Sequence, residues 1–190
     1  MSYTPRLTAP AANDPRWIQV SSGGYNQCIY GSDGPPSVLP DCTGYVHGRV
    51  MEIRGVNTDD GGLSFGNGET YWNGSSPDWI QESEPSLGAV ACYYTNNTQD
   101  RQPGHVAIVE QIIDADTIVV SESNYGGSRW DLVTCYRQYG WRPSAGWNVS
   151  PYGFLKNPYV TPGGLSPAVL LLILKWKEGE DNAKRVTRVV

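Results

Sequence analysis

The chain has 190 residues, 39% of them hydrophobic, which is enough for one ordinary domain with a buried core and a tail. A formal net charge of -5 argues against nonspecific nucleic-acid binding, which needs a basic face to neutralise phosphates. The 22 Gly, 14 Pro and 11% aromatic residues predict a loop-rich fold that contains β-sheet.

Residues 1–14 hold a single basic side chain, Arg6, and no apolar stretch of the secretory kind, so no signal peptide is expected. Residues 2–22, with Pro5, Pro10 and Pro15, read as an extended arm, and residues 23–40, dense in Gly, Pro, Ser and Asp, as a long loop. The pattern then changes. Tyr45, Val46, Arg49, Val50 and Ile53 fall near helical spacing, with Asp41 as N-cap and Gly55 as the stop, which predicts a helix of about three turns carrying Cys42 in its first turn. Residues 58–77 are rich in Gly, Asn, Asp and Ser and predict a surface segment with a short helix near 68–72.

Three apolar, β-favouring runs follow at 88–94, 105–113 and 117–122, the last two joined by the turn Asp114-Ala115-Asp116, and residues 152–155 add a closing strand. The expected architecture is α+β, an N-terminal helix carrying the Cys packed on an antiparallel β-sheet. After Pro158 comes a purely apolar run from Ala168 to Leu174 and then a polar stretch. The run is far shorter than the roughly 20 residues a membrane helix needs, and it fits a helix docking on a partner or the start of a further domain. The chain thus divides into an arm (1–22), a main domain (23–158) and a C-terminal linker or helical tail (159–190).

The residues that carry chemistry are a thiol, an imidazole and two polar side chains. Cys42 at a helix N-terminus gains stabilisation of its thiolate from the unsatisfied N–H groups and the dipole. The neighbouring Asp41 opposes that effect unless its oxygens turn into the cap. Cys28 is the rival nucleophile, but the Gly- and Pro-rich sequence after it cannot continue into a helix, so Cys42 is preferred. Cys92 and Cys135 read as packing residues. No CxxC spacing suggests zinc, and four Cys in a chain this long are expected to be mostly separate, reduced thiols.

Only two His are present. His47 lies five residues beyond Cys42 on the proposed helix and does not share its face, so it is expected to be a packing or surface residue. His105 opens an alternating strand behind Gly104, with Val106, Ile108 and Glu110 on the opposite face, and is expected to expose its imidazole at the end of the sheet. There it can serve Cys42 as general base. Glu122 and Asn124, two apart on a strand, point to one face about 7 Å apart. Either can orient the imidazole as the third member of a triad, and spacing does not choose between them.

The ordered segments Cys42-Thr43-Gly44-Tyr45-Val46, Pro85 to Val90, Gly104-His105-Val106-Ala107-Ile108-Val109-Glu110 and Glu122-Ser123-Asn124-Tyr125-Gly126, with Gly153-Phe154-Leu155 as a closing strand, resemble the CHAP (cysteine, histidine-dependent amidohydrolase/peptidase) domains of bacteriophage endolysins and bacterial wall hydrolases. The longer string from Val38 to Tyr45 with Gly48-Arg49 is most similar to CHAP domains of phages that infect Gram-positive bacteria. The chain departs from the commoner pattern in carrying Asp41 where Gln often precedes the nucleophile.

The resemblance implies a papain-like fold and hydrolysis of an amide bond in bacterial peptidoglycan, with Cys42, His105, Glu122 and Asn124 as the catalytic set. It implies no cofactor. Some relatives hold calcium in an Asp-rich loop near the nucleophile; Asp33 and Asp41 are too sparse to match it, while Asp59 and Asp60 lie elsewhere, so a calcium site is left open but unsupported. It further implies synthesis in a bacterial host cytoplasm and action on the cell wall, as a free lysin or as part of a virion tail among other tail proteins. A non-catalytic wall-binding or structural virion module on the same fold is the alternative. Trp72, Trp79, Tyr93, Tyr94, Trp130, Trp141 and Trp147 are candidates for groove walls.

Overall fold

The computed structural model describes residues 3–11, 14, 16, 41–58, 60–96, 103–124 and 130–160. The loop expected over 23–40 with its Cys28, the Tyr125-Gly126-Gly127 turn and the apolar run from Ala168 to Leu174 lie outside the described residues.

The first element, α1 (Cys42–Arg54), starts and stops where its caps dictate. Asp41 has an extended backbone, and its carboxylate accepts from the Thr43 N–H, which satisfies one orphan donor of the first turn. Gly55 takes the left-handed conformation at φ 69°, and its N–H donates to the Glu52 carbonyl at 3.0 Å. Every residue from Thr43 to Met51 is buried, so the helix is covered all round. Tyr45, Val46 and Val50 pack on the sheet, Leu63 and Tyr71 join them, and the N-terminal arm lies along the Arg49 and Glu52 side.

A single 3₁₀ turn (Gly68–Thr70) runs into the short α2 (Tyr71–Gly74), close to the expected 68–72. The sheet comprises β1 (Ile80–Glu82), β2 (Val90–Thr95), β3 (His105–Ile112), β4 (Thr117–Glu122), β5 (Asp131–Tyr136) and β6 (Val149–Lys156), with a second 3₁₀ turn (Arg137–Tyr139) after β5. The order across it is β1-β6-β2-β3-β4-β5, and every pairing is antiparallel. This is the α+β arrangement of a helix on an antiparallel sheet.

The runs expected from sequence became β2, β3, β4 and β6. Two strands were not anticipated. Both β1 and β5 lie at the edges, where one side of the ladder is unpaired and most side chains stay at least partly exposed, so neither shows the clean alternation of a half-buried strand.

Period-two alternation along β2 and β3 feeds two cores, one on each face of the sheet. Val90, Cys92, Val106 and Ile108 meet α1 on one face. Ala89, Ala91, Tyr93, Ala107, Val109, Val120 and Phe154 form the other, with Trp141 inserted from the segment after β5. The β3–β4 register shifts between Val109 and Gln111, leaving Glu110 as the extra residue of a bulge. Its carboxylate is fully buried, paired with Arg49 Nε at 2.9 Å and accepting from Ser121 Oγ at 2.7 Å and the Arg6 N–H at 2.8 Å. Tyr3 also donates to it, which fastens the arm to the sheet.

Candidate active site

Two local devices bring the thiol and the imidazole to one place. The first is the helix cap. Asp41, only 4% exposed, turns Oδ1 onto both the N–H (2.9 Å) and the hydroxyl (3.0 Å) of Thr43, so the carboxylate adjoining Cys42 is committed to the cap. Cys42 follows at the first helical position and stays partly accessible.

The second device is a pair of glycines. Gly104 adopts φ +66°, and a Cβ there would sit 2.5 Å from the Glu69 nitrogen and 2.6 Å from the Tyr93 carbonyl oxygen. A Cβ on Gly68 would sit 2.6 Å from the His105 nitrogen. Backbone atoms cannot yield to such contacts, so only glycine lets the 3₁₀ turn lie against the first residue of β3. The space that Gly104 leaves is therefore filled by the turn at Glu69.

His105 is buried at 7% exposure, which corrects the expectation of an exposed ring: the turn at Gly68, the β2 side chain Tyr93 and the indole of Trp147 cover it. Its Nε2–H donates to Glu122 Oε2 at 2.7 Å, and Asn124 Nδ2 donates to the other carboxylate oxygen at 2.8 Å. The Cys42 side chain also acts on the imidazole, through hydrogen bonding and charge that favour its protonated form. With Nε2 committed to Glu122, Nδ1 is the ring nitrogen left for sulfur.

Burial alone would pull the His105 pKa down, but the hydrogen bonds and charges of Cys42 and Glu122 outweigh it and hold the pKa at about 10. Burial also works to raise the Glu122 pKa, and the bonds from His105 and Asn124 bring it below the usual carboxylate value. The site thus favours imidazolium beside carboxylate at neutral pH. Cys92 and Cys135 are fully buried, and burial pushes both thiols up, Cys135 to about 12.

The structure therefore places all four residues singled out from sequence in one chain of contacts, Cys42 to His105 to Glu122 to Asn124. It also separates the two polar candidates: Glu122 touches the imidazole, and Asn124 touches Glu122. Cys42, His105 and Asn124 line a groove of about 510 Å³ whose walls include Asn67, Trp147 and Asn148. Of the aromatics considered as walls, only Trp147 lines this groove, while Trp79, Tyr93 and Trp141 are core. Asn67 and Gly68 escaped sequence reading because a Gly- and Asn-rich segment carries no signal of which strand it will touch. His47 is a packing residue, 2% exposed and stacked on Phe65 at 4.9 Å. Among the described residues no group of three or more His, Cys, Asp or Glu could hold a metal ion, and no helix is long and apolar enough to cross a membrane.

A thiol at a helix tip beside an imidazole that is itself bonded to a carboxylate is the arrangement that nucleophilic catalysis by cysteine requires. The family model of the CHAP domain matches residues 29–124, and the chain belongs to that family of cysteine, histidine-dependent amidohydrolases and peptidases. Among solved structures it is similar to an N-acetylmuramoyl-L-alanine amidase from Staphylococcus aureus, at 26% identity and a TM-score of 0.41, over 59% of this chain and 31% of that one. The chain thus spans about a third of the amidase it matches. No curated protein matches it.

Proposed function

We propose that this chain is a peptidoglycan hydrolase that cleaves an amide bond of the bacterial wall peptide through Cys42. The contact chain from Cys42 through His105 and Glu122 to Asn124 carries this reading, and family membership supports it. His105 takes the thiol proton, and the thiolate adds to the amide carbonyl carbon, forming a C–S bond and a tetrahedral oxyanion. The imidazolium then protonates the departing amine nitrogen as the C–N bond breaks, leaving a thioester on Cys42. Water, deprotonated by His105, attacks the thioester and releases the carboxylate with the free thiol. Glu122 holds the ring with Nδ1 toward sulfur and stabilises its positive charge, and Asn124 holds Glu122.

In this reading residues 23–158 form the catalytic unit, the bond cut lies within the wall peptide or between muramic acid and L-alanine, and the setting is a phage lysin, free or carried on the virion. The resemblance of the segments around Cys42 and His105 to phage CHAP domains supports the setting. Detection of the chain in purified phage particles selects the carried form.

Turbidity loss of purified Gram-positive walls tests the activity. The wild-type chain clears them and Cys42→Ala fails by at least about a thousandfold, the scale on which removal of a nucleophile acts. Equal clearing by both removes the assignment, and wall binding without clearing by the wild type selects a binding module. Mass spectrometry of the released fragments identifies the bond from the new amino termini.

A further inference from the structure

The groove wall at Trp147 has a second relation to the site. Its indole packs edge-to-face on the His105 ring, with centroids 5.6 Å apart and planes at 79°. Tyr93 lies 6.1 Å from the same imidazole and 5.3 Å from the indole, so three rings form a closed cluster. Glu122 holds Nε2 of His105, Cys42 adjoins the ring, and Tyr93 and Trp147 flank it. Of the two flanking rings only Trp147 also lines the groove.

The segment that presents Trp147 is pinned. Arg142 donates from Nε to the Tyr139 carbonyl at 2.6 Å and from Nη1 to those of Val149 at 2.7 Å and Trp147 at 3.4 Å. Tyr93 donates its hydroxyl to the Trp141 carbonyl at 2.8 Å, so the ring that flanks His105 also ties down the start of this segment. Trp141 itself holds φ 57°, a left-handed conformation uncommon outside glycine, while its side chain is buried against Phe154. Strain of that kind persists only where the surroundings over-determine it.

We propose that Trp147 is a positioning residue for the reaction: its indole holds the His105 ring between Cys42 and Glu122 and screens the thiol–imidazole pair from water in the groove. This rests on the hydrolase reading and deepens it. An aromatic wall lowers the local dielectric around the pair and offers a π-surface to an imidazolium. The other titratable groups about His105 are Cys42 from α1, Tyr93 from β2, Glu122 from β4, Glu69 in the 3₁₀ turn against Gly104, and Asp41 at the cap of α1. None of them changes when Trp147 is replaced.

The test needs no wall substrate. Alkylation of Cys42 by iodoacetamide in the full chain, read by mass spectrometry of the Cys42 peptide, gives the ratio of rates at about pH 6.5 and about pH 10, with His105→Ala as the unpaired reference. Wild type holds a ratio well above that reference, Trp147→Phe retains most of it, and Trp147→Leu loses it by about tenfold, the scale of a weakened aromatic–cation contact. A Trp147→Leu chain whose ratio equals wild type overturns the proposal.

A second measurement does not depend on any Trp147 variant folding. The proton NMR signals of the His105 ring, assigned by their loss in His105→Ala from a chain with two His, carry a ring-current shift away from the free-histidine position in wild type, and its absence overturns the contact. If instead wild type alkylates with the ratio of His105→Ala, the thiol–imidazole pair itself fails, and the hydrolase reading with it.

Discussion

At the scale of single residues, the site is governed by which nitrogen of one imidazole faces which partner. Because Cys42 and Glu122 hold the His105 pKa at about 10, the imidazolium is present through neutral pH and is lost only on the alkaline side. Wall clearing should hold to about pH 9 and fall as pH rises through about 10, and the apparent value belongs to the coupled Cys42–His105 pair. The sign for stability runs the same way. A folded-state value above the ordinary histidine value near 6.5 means that the protonated ring contributes stability fully below that pH, and that the contribution fades as pH climbs toward 10. Glu122→Gln leaves the shape of the site and removes the charge that holds the imidazolium, so clearing should drop by about a hundredfold or more and the alkaline limb should move to lower pH. Asn124→Ala, one contact further out, should cost about tenfold and shift that limb less, as pH-dependent clearing rates will show.

The sequence brought forward all four of these residues yet could not rank Glu122 against Asn124. A period of two places both on one face only while the strand lasts, and β4 ends at Glu122. What Asn124 touches is decided by the turn after the strand, and alternation says nothing about turns.

At the scale of elements, α1 is held from outside as well as from the sheet. Arg49 is 3% exposed and spans Glu110, Glu52 and the Thr4 carbonyl, so the helix that carries the thiol is stapled to the β3 bulge and to the arm. Glu110→Ala takes from Arg49 its fully buried carboxylate, leaving Glu52 and the Thr4 carbonyl as partners, and should cost about 3 kcal/mol in denaturant unfolding, whereas a paired replacement by Met at Arg49 and Leu at Glu110 should cost less. Glu52 is a milder case. Burial would raise its pKa, but Arg6 and Arg49 bring it below the usual carboxylate range. A depressed carboxylate stabilises the fold above its unfolded value and loses that contribution as pH falls, so Arg6→Ala should lower the urea midpoint at pH 7 and flatten its decline into acid.

Gly68→Ala sets a methyl against the His105 backbone and should abolish clearing while leaving most secondary structure by circular dichroism. Helix α1 was legible in sequence because its caps and spacing are local, and β2 to β4 because their apolar runs are continuous. The partners of Arg49 and the fit of Gly68 against β3 join segments far apart in the chain, and no local pattern encodes them.

At the scale of the whole molecule, the family match ends at Asn124 while the sheet does not. Strand β6 pairs with both β1 and β2, and its Phe154 and Leu155 reach the cores on opposite faces. A chain cut after residue 129 therefore loses an interior strand, and it should show no cooperative thermal transition in calorimetry. Trp147, Asn148 and Val149, at the entry to that strand, also wall the groove. During synthesis the ribosome releases Cys42 and His105 long before it delivers Lys156, and pairings of such sequence separation form late. In the reading proposed above, the nascent polypeptide thus carries its nucleophile and base without a finished substrate channel, so the cell that makes this chain meets the cutting machinery only after Lys156 has emerged.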